Sequence, residues 1–300
     1  MIISGKKDDV FLEFKALDSL QKRIKQNKFV IEDALLIGRA IKDGLPVEKI
    51  IYTDKFLEHV DSDNVTGKDI LLAAKSIKIE CYKINEGLLG AITATRPLPL
   101  ALASVVQPFY GSPCGLPSHC RLDPQSPPAI LLTDSVSNPD NLGMILRTAD
   151  AAGINAVAVL GNVGAGVSVH PQNNNTVASI FHKNCIRAAR GAMGRLPILT
   201  GETDETIIEN LKQNNFTIIG AAGGANVSLY SLPAETFTKP VAFIVGNESR
   251  GIRKHILEMC DITVSIPMLP NRDSLSVGVA TGVLIYEWVR HNANLTAKNK

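Results

Sequence analysis

The sequence predicts an α/β fold in two domains, the second built on a mostly parallel β-sheet with helices on both faces. Apolar runs of strand length alternate with helical segments along the C-terminal half, as in sheets whose parallel strands are joined by helices. The chain has 300 residues, enough for two ordinary domains. A stretch rich in Pro, Gly and Ser separates them. We therefore predict an N-terminal domain of residues 1–107, a linker of residues 108–128 and a C-terminal domain of residues 129–300.

The local spacing of apolar residues predicts the positions of the individual helices and strands. In the first domain, the sequence predicts one amphipathic helix over residues 11–27 and another over residues 32–43. Short strands are expected at residues 29–31, 49–52, 77–82 and 100–106. In the second domain, strands are expected at residues 129–133, 156–160, 217–221, 241–245 and 262–266, the last one preceding a C-terminal helix.

Composition excludes several classes of protein. With 45% hydrophobic and 20% charged residues, the chain falls among soluble globular proteins. It contains no apolar run of the roughly 20 residues that a membrane helix needs, and its N-terminus lacks the pattern of a secretory signal. Its five cysteines are scattered and odd in number, which favours a reducing, cytoplasmic setting over a disulfide framework. Cys114, His119 and Cys120 lack the spacing of a metal site, so no metal is expected.

The first motif runs from Asn138 to Gly153. Asn138 followed by Pro139 is typical of a helix start, and Gly153 of a helix end. The fold does not need the polar residues Asn141 and Arg147, and six positions apart on a helix they would face about 120° away from each other. They can converge on a ligand only if Asn141 sits where strand turns into helix. The helix should bury Leu142, Ile145, Leu146 and Ala149.

Two further motifs follow apolar strands. Gly246 and Glu248 belong to a polar cluster directly after the strand at 241–245. The third motif begins at Ser265 and Ile266, and Ser274 is predicted to cap the last helix. The predicted buried side of that helix includes Leu275, Val279, Val283 and Tyr286.

Together these three stretches resemble the motifs of the SpoU (TrmH-like) branch of the SPOUT RNA methyltransferases. That family transfers a methyl group from S-adenosylmethionine to a ribose 2′-hydroxyl of RNA. The resemblance implies a C-terminal trefoil knot, which local periodicity cannot reveal, and a homodimer. It also extends to residues 28–54 and 95–105, which resemble a small RNA-binding domain similar to a ribosomal-protein fold.

The resemblance also implies roles for individual residues. Asn141, Gly143 and Arg147 match the pattern N-x-G-x-x-x-R, whose Asn and Arg are catalytic. Arg hardly deprotonates, so its physical role is to hold phosphate and stabilise developing charge rather than to act as a base. Glu248 would orient Arg147 or the ribose by hydrogen bonds. The implied catalytic residues are Asn141, Arg147, Glu248, Ser274 and Ser276, and the implied cofactor-binding residues are Gly246, Ile266, Met268 and Leu275.

Two positions of the third motif depart from the family pattern. Ser276 stands where Asn is usual, and Gly278 stands where Ser is usual. These departures leave open a SpoU-like RNA-binding protein with impaired catalysis. The two-domain layout favours ribosomal RNA as the substrate, with a tRNA 2′-O-methyltransferase as a further alternative. An unrelated Rossmann oxidoreductase is disfavoured, because no dinucleotide fingerprint follows a predicted strand.

A basic segment follows the first motif. Residues 176–200 contain no acidic residue. Lys183, Arg187 and Arg190 stand at helical spacing, so a helix there would present one basic face suited to phosphates. A solvated helix face without a ligand is the alternative. The segment also resembles one that the SpoU family places beside its RNA-binding face, which favours phosphate binding.

Overall fold

A computed structural model of the chain describes residues 1–62, 64–107, 109–110, 126–161, 179–199, 203–269 and 274–292. The chain forms two compact units. The first comprises Met1–Pro108 and Phe181–Arg195, and the second comprises Phe109–Ile180 and Leu196–Lys300. Lys183, Arg187 and Arg190 of the basic segment therefore belong to the same unit as the N-terminal residues. The predicted linker falls largely outside the described residues, as do Cys114, His119 and Cys120.

The first unit contains a four-stranded sheet in the order β1-β4-β2-β3. Strand β4 pairs antiparallel with β1 and β2, and β2 pairs parallel with β3. Its strands are β1 Lys28–Ile31, β2 Val47–Tyr52, β3 Glu80–Lys83 and β4 Ala101–Val106. Its helices are α1 Asp9–Ala16, α2 Leu20–Gln26, α3 Ala34–Lys42, α4 Asp54–Glu58, α5 Gly67–Ser76, α6 Glu86–Ile92 and α8 Lys183–Ala189.

The predicted helix over residues 11–27 is wrong as a single element. The helical conformation is interrupted between α1 and α2, where the Ser19 backbone is extended with ψ 129°. The buried side chain of Arg23 stabilises this break, because it donates to the main-chain oxygens of Leu17 at 2.6 Å and Asp18 at 3.0 Å. The strand expected at residues 77–82 begins later, at Glu80, because α5 runs on to Ser76.

The second unit contains an eight-stranded sheet in the order β10-β12-β9-β11-β6-β7-β8-β5, in which every recorded pairing is parallel. Its strands are β5 Phe109–Tyr110, β6 Ala129–Asp134, β7 Ala156–Leu160, β8 Ile198–Leu199, β9 Thr217–Ala221, β10 Val227–Ser228, β11 Val241–Val245 and β12 Ile262–Ser265. Its α-helices are α7 Pro139–Ala151, α9 Asp204–Gln213, α10 Lys254–Glu258 and α11 Val277–Asn292, and two 3₁₀ helices span Leu229–Ser231 and Ala234–Thr238. The predicted parallel α/β sheet is confirmed, and β7, β9 and β11 have the predicted bounds.

Both faces of this sheet are covered. Ile130 and Ile244 pack with side chains of α9 and α10 in one apolar core. Leu131 and Phe243 point to the opposite face by strand alternation, and they are fully buried as well. Helix α11 packs against α7 and β11. No helix among the described residues is long and apolar enough to cross a membrane.

Candidate functional site

The motif residues follow neighbouring strands of the parallel sheet. Strand β11 pairs with both β6 and β9, and β9 also pairs with β12. Parallel strands end at a common edge, and ligands of open α/β sheets bind at that edge. The three motifs follow β6, β11 and β12, so the topology brings them to one edge of the second unit.

Helix α7 begins as its sequence predicts. Asn138 caps it, and the Asn138 side chain accepts from the main-chain N–H of Asp140 at 2.8 Å and of Asn141 at 3.4 Å. Pro139 occupies the first turn. Gly153, with φ 70°, follows the helix end in the left-handed conformation that favours glycine. The predicted stripe of Leu142, Ile145, Leu146 and Ala149 is buried.

Glu248 joins the loop after β11 to the start of α7. Its Oε1 accepts from Asn141 Nδ2 at 2.9 Å and from the Asn138 main-chain N–H at 3.3 Å. Its Oε2 accepts from the Ser137 hydroxyl at 3.0 Å and from the Ser137 main-chain N–H at 3.2 Å. Burial raises the pKa of Glu248, but these hydrogen bonds outweigh burial and hold the pKa below its ordinary value. Glu248 is therefore a carboxylate at neutral pH, and it serves as an anchor rather than a proton donor.

This anchor fixes which way the amide of Asn141 faces. An ionised carboxylate can only accept hydrogen bonds, so Asn141 must present its NH₂ group to Glu248. The Asn141 carbonyl oxygen then points away from Glu248 and can accept from a hydroxyl group. Glu248 thus converts a freely rotating amide into an oriented acceptor at the N-terminus of α7.

The loop after β11 closes tightly on itself. The Asn247 and Gly251 main chains exchange two hydrogen bonds, at 2.9 and 3.0 Å. The Asn247 side chain accepts from the main-chain N–H groups of Ser249 at 3.0 Å and Arg250 at 3.1 Å, and it donates to the Ser135 main-chain oxygen at 2.8 Å. A Cβ on Gly246 would lie 2.1 Å from the Gly251 carbonyl carbon, so only glycine fits there. The sequence alone predicts no role for Asn247.

A buried charge network supports the same loop, and sequence reasoning missed it. Asp134, fully buried at the end of β6, accepts from Arg253 Nε and from the Arg253 main-chain N–H, each at 2.6 Å. Asp204 accepts from Arg253 Nη2 at 2.6 Å and from the Gly161 main-chain N–H at 2.7 Å. Burial lowers the pKa of Arg253, but its two carboxylate partners outweigh that effect and raise it. The one sequence signal was an aspartate at the end of an otherwise apolar strand.

Arg147 lies on the exposed surface of α7. It makes no hydrogen bond or ion pair within the described part of the chain. Glu248 holds Asn141 rather than Arg147. The predicted orienting contact between Glu248 and Arg147 is therefore not formed in this structure, and Arg147 is a permanently charged side chain open to solvent.

The last helix begins later than predicted. Helix α11 starts at Val277, and the Ser276 hydroxyl accepts from the Val279 main-chain N–H at 3.4 Å. The cap is therefore Ser276, and the prediction that Ser274 caps this helix is wrong. Both Ser274 and Leu275 are exposed.

The predicted buried side of α11 is also wrong. Leu275, Val279 and Tyr286 are exposed, and Val283 is half-buried. The helix turns a different set of side chains inward, namely Val277, Thr281, Leu284, Ile285, Glu287, Trp288 and Val289. The sequence of this helix is apolar on most sides, so periodicity alone could not choose the inner face.

The basic segment forms only part of the predicted face. Lys183 and Arg187 lie on α8, whereas Arg190 follows the helix in a left-handed conformation with φ 50°. All three side chains are exposed. Lys183 pairs with Asp18 of the same unit.

The model of the SpoU rRNA Methylase family matches residues 128–286. The chain belongs to the SpoU rRNA Methylase family. Residues 128–286 span β6 to α11, so the match includes all three motif regions.

Similar proteins are known over both units. The chain is 29% identical to the 23S rRNA (guanosine(2553)-2′-O)-methyltransferase RlmP of Bacillus subtilis, over 95% of this chain and 97% of that protein. It is 36% identical to the 23S rRNA (guanosine-2′-O-)-methyltransferase RlmB of Ralstonia nicotianae, over 58% of this chain but only 63% of that protein. The crystal structure of an AdoMet-bound rRNA methyltransferase from Sinorhizobium meliloti matches 97% of this chain and 98% of that one, with a TM-score of 0.75 at 20% identity. That likeness supports the fold.

The edge of the sheet suits the cofactor of SpoU enzymes. Met268 and Leu275 expose 40% and 37% of their surface on the connection between β12 and α11. A Cβ on Gly223 or Gly224, which follow β9, would meet no atom within 4 Å. Open apolar surface at the carboxyl ends of parallel strands fits an adenine ring and a thioether chain. No group of His, Cys, Asp and Glu that could hold a metal ion occurs among the described residues.

Proposed function

We propose that this chain is an S-adenosylmethionine-dependent RNA methyltransferase that modifies a ribose 2′-hydroxyl of ribosomal RNA. The observation that carries the proposal is the contact between Glu248 and Asn141 at 2.9 Å. It joins the motif after β6 to the motif after β11 in a member of the SpoU family. The same contact aims an acceptor oxygen out of the loop, where a hydroxyl group can reach it.

The main task of the protein in this reaction is to align the ribose hydroxyl with the methyl group. When bound, S-adenosylmethionine would supply a methyl group on a sulfonium; its sulfur–methyl bond would break as the oxygen–methyl bond forms, leaving S-adenosylhomocysteine and releasing the hydroxyl proton to solvent water. Asn141 orients the ribose 2′-hydroxyl through its carbonyl oxygen, and Glu248 keeps Asn141 in that orientation. Arg147 holds an RNA phosphate and stabilises negative charge as it develops on the oxygen. Positioning and preorganised dipoles then supply most of the rate.

The remaining predicted site residues have supporting roles in this proposal. Gly246, Ile266, Met268 and Leu275 hold the cofactor through main chain and apolar surface. Ser274 is exposed and available to substrate. Ser276 caps α11 and thereby fixes the start of the helix that follows the cofactor-binding connection.

Ribosomal RNA is the proposed substrate, with guanosine as the proposed nucleoside. Both RlmP and RlmB are named as guanosine-2′-O-methyltransferases of 23S rRNA. The alignment with RlmP spans nearly the full length of both proteins, so it includes the first unit. We propose the cytoplasm as the compartment, because ribosomal RNA is there; cell fractionation would contradict this by recovering the protein elsewhere.

We propose that residues 1–107 form an RNA-binding domain, aided by Lys183, Arg187 and Arg190. Exposed cations that contact phosphates make binding depend steeply on salt. Replacing all three by alanine should weaken binding of a 23S rRNA fragment and lower its salt dependence. Unchanged affinity and salt slope would exclude these residues from the RNA interface.

We also propose a homodimer and a C-terminal trefoil knot. Met144 of α7 and the α11 residues Val279 and Tyr286 expose 44%, 54% and 50% of their surface on two helices that pack together. A second copy would cover this apolar patch. Sedimentation of Val279→Glu should give a monomer, and a monomeric parent protein would refute the dimer. An experimental chain trace from β11 to α11 tests the knot.

The central experiment measures transfer of tritiated methyl from S-adenosylmethionine to 23S rRNA, followed by mapping of the 2′-O-methylated nucleotide. Arg147→Ala should reduce transfer by roughly 100-fold or more, in line with the loss of one charge-stabilising group. Lys254→Ala is the matched control, since Lys254 is 91% exposed and outside the proposed site. Cofactor and RNA binding without transfer would favour the RNA-binding alternative, and transfer to tRNA alone would favour the tRNA methyltransferase.

A further inference from the structure

The first unit contains a cavity of about 620 Å³ that the proposed chemistry does not use. It lies among β1, the segment after α6 and the basic segment around α8. This volume is in the range of small-molecule sites. Its apolar floor includes the partly exposed side chains of Val30, Leu36 and Ile186. An apolar floor of this kind suits the flat face of a nucleobase.

An oriented carboxylate forms part of the cavity lining. The Thr93 hydroxyl donates to Glu32 Oε1 at 2.8 Å, and the Thr95 hydroxyl donates to Glu32 Oε2. Each carboxylate oxygen can accept more than one hydrogen bond, so both oxygens keep capacity for a ligand. The two threonines hold the carboxylate in place, and the cavity thereby presents two neighbouring acceptors in a fixed orientation.

Exposed cations also line the cavity. Lys183, Arg187 and Arg190 contribute from the basic segment, and Arg96 contributes from the segment after α6. Phosphates form ion pairs with such groups, whereas a purely apolar ligand cannot. A single compartment therefore combines an apolar floor, a pair of acceptors and a basic margin, which together match the base and phosphate of a nucleotide.

The pair of acceptors selects among bases. The Watson–Crick edge of guanine offers two adjacent donors, N1–H and N2–H₂, to a carboxylate. Cytosine and adenine each place an acceptor next to their amino group, and uracil flanks its single donor with two acceptors. A carboxylate that accepts through both oxygens thus discriminates in favour of guanine. Such groups are accessible only in unpaired RNA.

We propose that this cavity binds an unpaired guanine nucleotide of the RNA substrate, with Glu32 accepting from N1–H and N2–H₂ and Arg187 and Arg190 contacting its phosphate. The inference rests on the proposed function only in taking the ligand to be RNA. It assigns a role in substrate specificity to Glu32, which belongs to the first unit, whereas Asn141 and Glu248 belong to the second. It also gives Thr93 and Thr95 the role of positioning that carboxylate.

The test uses the full-length protein and fluorescence anisotropy with ten-nucleotide single-stranded RNAs. One oligonucleotide is all uridine, and the others carry a single central guanosine, adenosine or cytidine. The guanosine oligonucleotide should bind about tenfold more tightly than the rest, as expected for one bidentate base contact. Inosine, which lacks the N2 amino group, should lose most of that advantage, whereas 7-deazaguanosine should keep it.

Glu32→Gln should abolish the guanosine preference and leave binding of the uridine oligonucleotide unchanged. Thr95→Val should reduce the preference, because it removes one hydroxyl that orients Glu32. Glu58→Gln is the control, since it makes the same charge change at an exposed residue outside the cavity lining. Arg190→Ala should weaken all oligonucleotides alike.

Methyl transfer to 23S rRNA is measured on the same variants, so the two proposals can fail separately. If the protein shows a guanosine preference that depends on Glu32 but transfers no methyl group, the guanine-binding proposal is supported and the proposed methyl transfer is contradicted. Transfer by the parent protein without a guanosine preference would overturn the cavity proposal. A preference for cytidine, a preference retained in Glu32→Gln, or no oligonucleotide binding would overturn it as well.

Discussion

Replacing Gly246 by alanine tests whether the tight loop after β11 builds the site. The added Cβ would lie 2.1 Å from the Gly251 carbonyl carbon and 2.2 Å from the Ile252 main-chain nitrogen. Both neighbours are main-chain atoms, so a side-chain rotation cannot relieve the contact. Non-bonded carbon atoms prefer a separation of about 3.5 Å or more, so one part of the loop must move by about 1.4 Å.

The loss of stability follows from the interactions that this movement breaks. The Asn247 and Gly251 main chains exchange hydrogen bonds at 2.9 and 3.0 Å, and the displaced loop cannot keep both. Each such bond contributes roughly 0.5–1.5 kcal/mol net, and overpacking costs about 1–3 kcal/mol. We therefore expect Gly246→Ala to lower the free energy of unfolding by about 2–4 kcal/mol. Methyl transfer should fall further, because the same loop carries Glu248.

Urea unfolding followed by circular dichroism measures the stability, and tritiated methyl transfer measures the activity. Gly223→Ala is the matched control, because a Cβ at Gly223 would meet no atom within 4 Å. The control should unfold within about 0.5 kcal/mol of the parent protein. Equal stability of Gly246→Ala and Gly223→Ala would contradict the requirement for glycine at position 246.

The remaining predictions concern the cap of α11, the buried charges and the anchor. Ser276→Ala should lower the free energy of unfolding by about 0.5–1 kcal/mol, because it removes the cap, whereas Ser274→Ala should change it by less than about 0.5 kcal/mol; equal effects in urea unfolding would contradict the cap assignment. Asp134→Asn should lower the free energy of unfolding by about 2–3 kcal/mol in the same assay, since it leaves Arg253 with one carboxylate partner. An unchanged free energy of unfolding would show that the network adds no stability. The pKa of Glu248 lies below its ordinary value of 4.5, so the stability it contributes is present above that pH and is lost as the pH falls through the lower, folded-state pKa. The stability difference between the parent and Glu248→Gln should therefore shrink below about pH 4.5, and a difference that is constant across pH 3–7 would contradict the role of ionised Glu248.

The parts of the fold that sequence predicts well are those fixed by local chemistry. The start of α7 depends on Asn138 and Pro139, whose capping and φ preferences act within one turn. The strands β7, β9 and β11 are apolar runs between polar segments, and their bounds follow directly. Neither kind of element needs a distant residue to be defined.

The parts that sequence could not predict depend on distant partners. The break between α1 and α2 is stabilised by the buried Arg23, which resembles an ordinary surface residue of an amphipathic helix until its hydrogen bonds are known. The network of Asp134, Arg253 and Asp204 joins residues up to 119 positions apart, so no local pattern can indicate it. The hydrogen-bond partner of Glu248 also depends on the tertiary structure, in which Asn141 donates to it.

The wrong prediction for α11 bears on the proposed dimer. The apolar stripe of the sequence predicts that Val279 and Tyr286 are buried, yet they expose 54% and 50% of their surface. A surface helix of a monomer normally carries polar residues on its outer side. Here the outer side also carries apolar residues, and Met144 of the adjoining α7 adds to them. Periodicity predicts that this stripe is buried, but the described residues leave it exposed. An interface with a second copy, as proposed above, would bury it.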